Sequence, residues 1–388
     1  MKTLSIETSC DETAVSLIEY ADTQKEISIL ADITASQTKL HEQYGGVYPM
    51  MARREHEKNL PHIIEQILAQ TTQKRVEKIT FDEALIADIK IILTKEEGLV
   101  ESLIALAQTF EKPSNYIAVT YGPGLEPALW VGLNTAKVLA MLWNIPLIPV
   151  NHMEGHIIAG TAVRNENKIT LKPMAYPTIA LLISGGHTEL VLLTKPNEYT
   201  IIGETRDDAV GEAYDKVARM LSLPYPGGPQ ISKLADEARE GAPYTPFSFP
   251  RPMLASGDYD FSFSGLKTHI LYAIKKHGEL TEESKRGIAL EFENTTAQVL
   301  VTKMVNAGIE YNAKNFVVGG GVSANNHIRK ELQKAYANQP DVTVHLPAQN
   351  LTTDNALMIA LASIGKSGMT PSSHDGLRAQ GNLHFERK

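Results

Sequence analysis

The chain has 388 residues, 43 % of them apolar and 21 % charged, a globular composition that argues against disorder, collagen and coiled coil. The net charge of -8, from 37 Lys and Arg against 45 Asp and Glu, excludes a wholly basic face for coating nucleic acid but leaves room for a local patch. The single Cys10 excludes an internal disulfide framework and a Cys-based zinc site; with no bilayer-length apolar run and acidic residues too early for a secretory signal, the expectation is a cytoplasmic chain without membrane contact.

Length suggests two or three domains. Thr3–Thr8 and Ala14–Ile18 are apolar runs around a short polar turn, the pattern of a β-hairpin. A strand over Ile27–Ala31, a turn-rich loop over His41–Val47 and a helix over Pro49–Gln70 follow. Residues 74–112 differ in character. Capping-box patterns at Thr80 and Thr94 each precede an amphipathic run, which predicts two helices packed on the N-terminal half. Acidic residues outnumber basic ones there, which argues against nucleic-acid binding by this segment. Tyr116–Thr120 is a buried strand, a helix runs from about Ala128 to Trp143, and Ile148–Val150 is a short strand.

The second half repeats the opening. Thr178–Ser184 and Glu189–Leu193 flank a glycine turn, and Phe316–Val318 leads through Gly319–Gly321 into a helix capped near Ser323. The repetition predicts a duplicated α/β fold. The expected division is residues 1–150, carrying the 74–112 insert, and 151–388, whose final helix is expected to pack back toward the N-terminal half.

Three motifs could carry chemistry. The turns at Ser9–Thr13, Ser184–Thr188 and Gly319–Gly321 let backbone N–H groups approach a phosphate or nucleoside; an ordinary β-turn is the plain alternative for any one of them. His152 and His156 are four apart, so on a helix they share a face and form half of a metal site. A zinc-peptidase reading is poor, because Glu154 falls on the opposite side of that helix. Asp354 is a candidate third ligand, although Thr353 or Asp354 could equally be the N-cap of the following helix. Arg53, Arg54 and Lys58 form the densest cation cluster near a candidate site loop and are expected on a polyanion-binding surface; a solvated helix face is the alternative.

Ordered strings then become specific. IETSCDETAVS from Ile6, KLHEQYGGVYP from Lys39, GPGL from Gly122, VNHMEGH from Val150 and LLISGGHTEL from Leu181 occur in sequence. They continue with DDAVGEAYDKVARMLSLPYPGGP from Asp207, FSFSGLKT from Phe261, GGGVSANNHIR from Gly319 and TDNALMIA from Thr353. Together they resemble the universal family of tRNA threonylcarbamoyladenosine synthesis, the bacterial threonylcarbamoyltransferases once described as glycoproteases. The resemblance implies the actin-like, sugar-kinase and chaperone-ATPase fold, two lobes around a nucleotide cleft. It implies transfer of a threonylcarbamoyl group from its adenylate to the exocyclic amine of the adenosine beside the anticodon.

By the same resemblance, His152, His156 and Asp354 hold one divalent metal, Fe(II) in preference to Zn. Leu182, Ile183, Ser184, Gly185, Gly186, Asp215, Gly228 and Asn325 bind an adenine nucleotide or the adenylate. Asp11 and Glu12 sit on the first phosphate hairpin and are candidates for removing the amine proton. The implied partners are tRNA, a paralogous subunit of the same fold and a P-loop ATPase. The chain departs from the family pattern at Met50, Arg53 and Glu126-Pro127, and residues 74–112 are expected as an insertion. A kinase or ATPase of the same fold is the alternative, as is a non-catalytic scaffold. The histidine pair disfavours the first, because carboxylate-held Mg²⁺ needs no imidazole. Intact metal and glycine motifs disfavour the second.

Overall fold

A computed structural model describes residues 1–21, 26–77, 79–241, 246–366 and 376–388. Lys78, counted in the charge balance of the insert, lies outside the described residues. The chain forms two compact units, Met1–Lys172 with Asp354–His384, and Pro173–Thr353 with Phe385–Lys388. The division therefore falls at Lys172 where the sequence suggested 150, and a C-terminal segment returns to the first unit.

The first unit opens with β1 (Lys2–Glu7), β2 (Glu12–Tyr20) and β3 (Ile27–Ser36), then α1 (Thr38–Glu42) and α2 (Pro49–Thr71). It continues through α3 (Glu83–Ile92), α4 (Leu99–Thr109), β4 (Tyr116–Gly122), α5 (Glu126–Trp143), β5 (Leu147–Asn151), α6 (His152–Gly160), β6 (Ala162–Asn165) and β7 (Lys168–Leu171). Its sheet order is β5-β4-β1-β2-β3-β7-β6. β1 runs antiparallel to β2 with Lys2 opposite Glu19 and Glu7 opposite Ala14, and parallel to β4.

The second unit holds β8 (Thr178–Ile183), β9 (Thr188–Lys195), β10 (Glu198–Glu204), α7 (Val210–Met220), α8 (Gly227–Glu240), α9 (Ser264–His277) and α10 (Glu282–Glu310). β11 (Asn315–Gly319), α11 (Asn326–Tyr336) and β12 (Thr343–His345) follow, and after them α12 (Ala356–Ile364), in the first unit, and β13 (Glu386–Arg387). Its sheet order, β12-β11-β8-β9-β10-β13, repeats the first five strands of the other sheet. In both, two antiparallel pairings join the first three strands and two parallel pairings extend from the first strand. Sequence repetition of strand, glycine turn and strand thus corresponds to a repeated topology.

Residues 74–112 form two helices, but not from the expected caps. The Asp82 carboxylate caps α3 by accepting from the Leu85 N–H at 2.6 Å. The Thr94 hydroxyl donates back to the Lys90 and Ile91 carbonyls, closing α3 instead of opening α4. Ile89, Leu93, Leu99, Leu103 and Leu106 are buried in the core of the first unit with Leu60, Ile64 and Leu133. The ends of the segment are joined, Arg75 N–H to Thr109 O at 2.8 Å and Glu111 N–H to Gln73 O at 3.0 Å.

Two departures from the family pattern gain local reasons. Pro127 lies in the first turn of α5, where its missing N–H leaves no helical bond unmade, and Glu126 beside it suits the positive end of the helix dipole. Arg53 does not face outward as a tRNA contact. Its Nε binds Glu57 at 2.9 Å, and its NH2 lies 3.3 Å from Glu96 and donates to the Lys95 carbonyl. Glu96 is 1 % exposed and also accepts from Asn134 at 3.0 Å. Arg54 and Lys58 stay exposed.

Candidate active site

The Asn151 side chain at the end of β5 caps α6 by accepting from the Met153 N–H at 2.8 Å. That fixes the first turn of a short, nearly all-buried helix from which His152 and His156 project, ring centroids 4.6 Å apart and edge to face. Asp354 arrives from the turn before α12. Neither Thr353 nor Asp354 is the cap of that helix: the Asn355 side chain accepts from the Met358 N–H at 2.9 Å, which leaves the Asp354 carboxylate free to turn toward the histidines. Its Oδ1 lies 3.4 Å from His152 Nε2 and 3.1 Å from His156 Nε2.

The chemistry of this donor set fits a cation. One atom from each of the three side chains lies within 4.8 Å of the other two. The approach of His156 Nε2 to Asp354 is off-line for a hydrogen bond, so both ring nitrogens of this buried residue lack a hydrogen-bond partner among the described residues. His152 Nδ1 lies 3.1 Å from Glu7 Oε2, which can only accept, so Nδ1 carries the proton and Nε2 faces the cluster. An imidazole oriented by a carboxylate behind it is a common feature of metal-binding histidines. Burial opposes ionisation of both carboxylates, but His152 holds Glu7 and Asp354 below their usual range. Burial likewise opposes charge on His152, yet Asp354 and Glu7 raise its pKa well above the ordinary value. Burial pushes the pKa of His156 down, toward the neutral form that ligates metals. Glu154, buried behind the helix, is ion-paired with Lys366 and takes no part in this cluster.

The turn after β1 carries Asp11 and Glu12. Burial, then the Asp354 and Asp11 carboxylates, pushes the Glu12 pKa well above the ordinary range. Burial and Asp11 do the same to the Cys10 thiol, which disqualifies it as a nucleophile.

The second unit contains a cavity of about 340 Å³, lined among others by Gly185, Tyr214, Asp215, Gly228, Glu293 and Asn325. Of the eight residues the sequence nominated for the adenylate, four line it: Gly185, Asp215, Gly228 and Asn325. Leu182 and Ile183 are fully buried β8 core, and the Ser184 hydroxyl accepts from the N–H groups of Gly186 and His187, shaping the turn. Asp215, its pKa raised mainly by burial, accepts from the Gly227 N–H at 2.7 Å. A Cβ at Gly227 would meet Ala218 Cβ at 2.5 Å, whereas one at Gly228 would enter open space. Gly320, at φ +87, brings the glycine loop so close that a Cβ there would lie 2.4 Å from the Ile183 carbonyl oxygen. The Asn325 amide is engaged inside the protein, donating to Ser232 Oγ at 2.9 Å and Glu293 Oε1 at 2.6 Å while its oxygen caps α11. The N-cap of that helix is therefore Asn325, not Ser323. The buried Glu293 is neutralised by Arg239 at 2.6 Å. Glu7, Glu293 and Arg239 were missed in the sequence. Glu7 was within reach, since it precedes the first hairpin turn on a strand otherwise apolar or hydroxylic after Lys2.

Comparison with known proteins decides the family. Residues 28–81 and 96–361 match the sequence profile of the TsaD family, tRNA N6-adenosine threonylcarbamoyltransferase. The chain belongs to this family. It is accordingly a transferase that forms threonylcarbamoyladenosine, with tRNA as its acceptor. The threonylcarbamoyltransferase of Enterococcus faecalis is 40 % identical over 384 residues, covering 98 % of this chain and 95 % of that protein. That of Geobacillus kaustophilus is 42 % identical over 362 residues, 92 % of this chain and 90 % of that one. Among solved structures, full-length HypF in its phosphate- and nucleotide-bound form matches with a TM-score of 0.55 at 13 % identity, over 96 % of this chain and 47 % of HypF, a likeness of fold alone. The family match is interrupted over residues 82–95, so its internal gap is α3 with its two ends, narrower than the expected 74–112. Among the described residues no helix is long and apolar enough to cross a membrane.

Proposed function

We propose that the first unit binds one divalent metal through His152, His156 and Asp354 and carries the group that deprotonates the acceptor amine, while the cavity of the second unit takes the adenylate of the donor. The observation that carries this reading is the convergence of two buried imidazoles and a carboxylate, with Glu7 orienting one imidazole from behind. The donor set is that of an Fe(II) or Zn site, and the family resemblance favours Fe(II). A metal held by these three side chains would supply Lewis acidity.

The donor is a mixed anhydride and needs no covalent enzyme intermediate. The N6 nitrogen of adenosine, the base beside the anticodon, attacks the carbamoyl carbon. The new C–N bond forms as the bond from that carbon to the phosphate oxygen breaks, and AMP leaves with the electron pair. Glu12 takes the proton lost by the amine; its raised pKa makes it a stronger base than an ordinary carboxylate. Asp11, next to it, keeps that pKa high. Gly228 and Gly185 let the nucleotide lie against the backbone, and Asp215 holds the Gly227 turn beneath it. A same-fold partner subunit and a P-loop ATPase belong to this reading through the resemblance, as does a cytoplasmic location.

The test is elemental analysis beside modified-nucleoside formation for wild type and His156→Ala. Both metal content and transfer should fall at least tenfold in the variant, while adenine-nucleotide binding persists. Full transfer by a metal-free variant would overturn the metal assignment.

A further inference from the structure

Two further histidines, His41 and His56, are buried without exposure and are used by nothing above. His56 Nε2 lies 3.0 Å from the Cys10 carbonyl, which can only accept, so Nε2 carries the proton and Nδ1 is the acceptor. Onto the single lone pair of Nδ1 converge two donors, the Thr13 hydroxyl at 2.7 Å and, more weakly, Gln37 Nε2 at 3.3 Å. Gln37 Nε2 also donates to the Ala52 carbonyl at 3.4 Å, which fixes the amide orientation independently. Gln37 Oε1 therefore faces His41 Nε2, 3.3 Å away, and that nitrogen must carry a proton. His41 Nδ1 is then left as an acceptor, and the Tyr48 backbone N–H donates to it at 3.3 Å.

Every tautomer and amide orientation is thus forced, and the bonds run one way: Tyr48 N–H to His41, His41 to Gln37, Gln37 to His56, His56 to the Cys10 carbonyl. One end lies at the loop that exposes Tyr44 and Tyr48. The other holds the peptide just before Asp11 and Glu12, where the Gln37 N–H also binds the Asp11 carbonyl at 3.0 Å. Residues whose partners are fully determined cannot shift singly, which makes such a network a rigid support.

We infer that His41, Gln37 and His56 are positioning residues for the transfer reaction, a one-directional neutral relay that holds the Cys10–Glu12 turn in register and ties it to the Tyr44–Tyr48 loop. The inference rests on the role proposed for Glu12. The charged and titratable groups acting on His56 are Glu7 from β1, Asp11 from the turn and His41 from α1, beside the Cys10 carbonyl, and burial outweighs the carbonyl and the carboxylates, bringing its pKa down to about 4. The relay is accordingly neutral at working pH.

Gln37→Glu reverses the polarity: a carboxylate only accepts, so the bond to His56 re-forms only when Nδ1 gains a proton and the Thr13 hydroxyl turns to accept. Gln37→Met keeps the volume and removes both bonds. Imidazole ¹⁵N spectra of the full chain should show neutral, Nε2-protonated His56 in wild type and an imidazolium at pH 7 in Gln37→Glu. Transfer is measured with tRNA and threonylcarbamoyl adenylate, the two partner subunits included. In both variants kcat should fall at least tenfold, with the KM for tRNA and the metal content within twofold of wild type. In Gln37→Glu the rate should recover above pH 8 as His56 loses its proton, a profile that loss of packing would not give. Wild-type kcat in either folded variant, or a rate loss that tracks the melting temperature alone, overturns the relay. A wild-type chain that makes no threonylcarbamoyladenosine while its His56 spectrum is as described overturns the functional reading, and the positioning role with it.

Discussion

His56 shows at the scale of one residue how burial converts into pH dependence. Its pKa falls from 6.5 to about 4 in the folded chain, so between those values the unfolded state binds more protons. Stability from this group is present above about pH 6.5 and is lost as the pH falls through about 4. At ~1.4 kcal/mol per pKa unit the contribution is at most about 3.5 kcal/mol. Urea midpoints measured from pH 4.5 to 7 should therefore rise less steeply for His56→Gln than for wild type. Parallel slopes would remove His56 as a source of acid lability. Asn355 matters for a different reason, since it caps α12 and so frees Asp354. Asn355→Ala should lower stability by about 1 kcal/mol, and metal affinity should fall as well because Asp354 loses its fixed approach. Calorimetry and metal titration separate the two effects. The sequence supplied His152, His156 and Asp354 by spacing and resemblance. It gave no means of choosing Asn355 over Thr353 as the cap, because three consecutive polar residues can each fill that role.

Among the elements, α3 falls in the internal gap of the family match, and α2 is bonded to the turn that follows it. Arg53 grips Glu57, Glu96 and the Lys95 carbonyl, so the turn after α3 is tied to α2 by a partly buried charge. Arg53→Met should leave Glu96 without its cation and lower stability by about 3 kcal/mol, the range for breaking one partner of a buried pair. The double variant Arg53→Met with Glu96→Gln should recover most of that loss, as read from chemical unfolding. Replacing residues 82–95 by a short linker removes the buried Ile89 and Leu93, worth about 2 kcal/mol each. A folded deletion variant should keep tRNA affinity within threefold, and a larger loss would give α3 a role in binding. The two helices of this segment were legible from the period of their apolar residues. Their caps were not, because Thr94 matches the start pattern of one helix while its hydroxyl closes the previous one.

The net charge of the whole molecule limits how it can hold an acidic polymer. A net charge of -8 offers no general attraction for phosphates, and Arg53 is already paired with Glu57 and Glu96. The slope of log affinity for tRNA against log salt should have a magnitude below about 4; fluorescence anisotropy between 50 and 300 mM KCl measures it, and a slope beyond about 6 would show a wider basic contact. The residues proposed for the metal and the cavity proposed for the adenylate belong to different units, which lets variants separate them. Gly228→Leu places a side chain in the cavity without a backbone clash. Adenine-nucleotide affinity should fall at least tenfold with metal content unchanged, the reverse of His156→Ala.

Sequence alone determined the repeated strand, turn and strand pattern and the family, and it singled out the three side chains proposed to hold the metal, because periodicity and ordered motifs are local properties of the chain. Tertiary structure decided what those residues touch. Glu7 reaches His152 across 145 positions, and Glu293 reaches Asn325 across 32. It likewise sent Leu182 and Ile183 into the core, engaged the Asn325 amide within the protein, and set His41, Gln37 and His56 in line. Hydrogen-bond direction depends on which donor meets which acceptor in space, and no spacing along the chain carries that information.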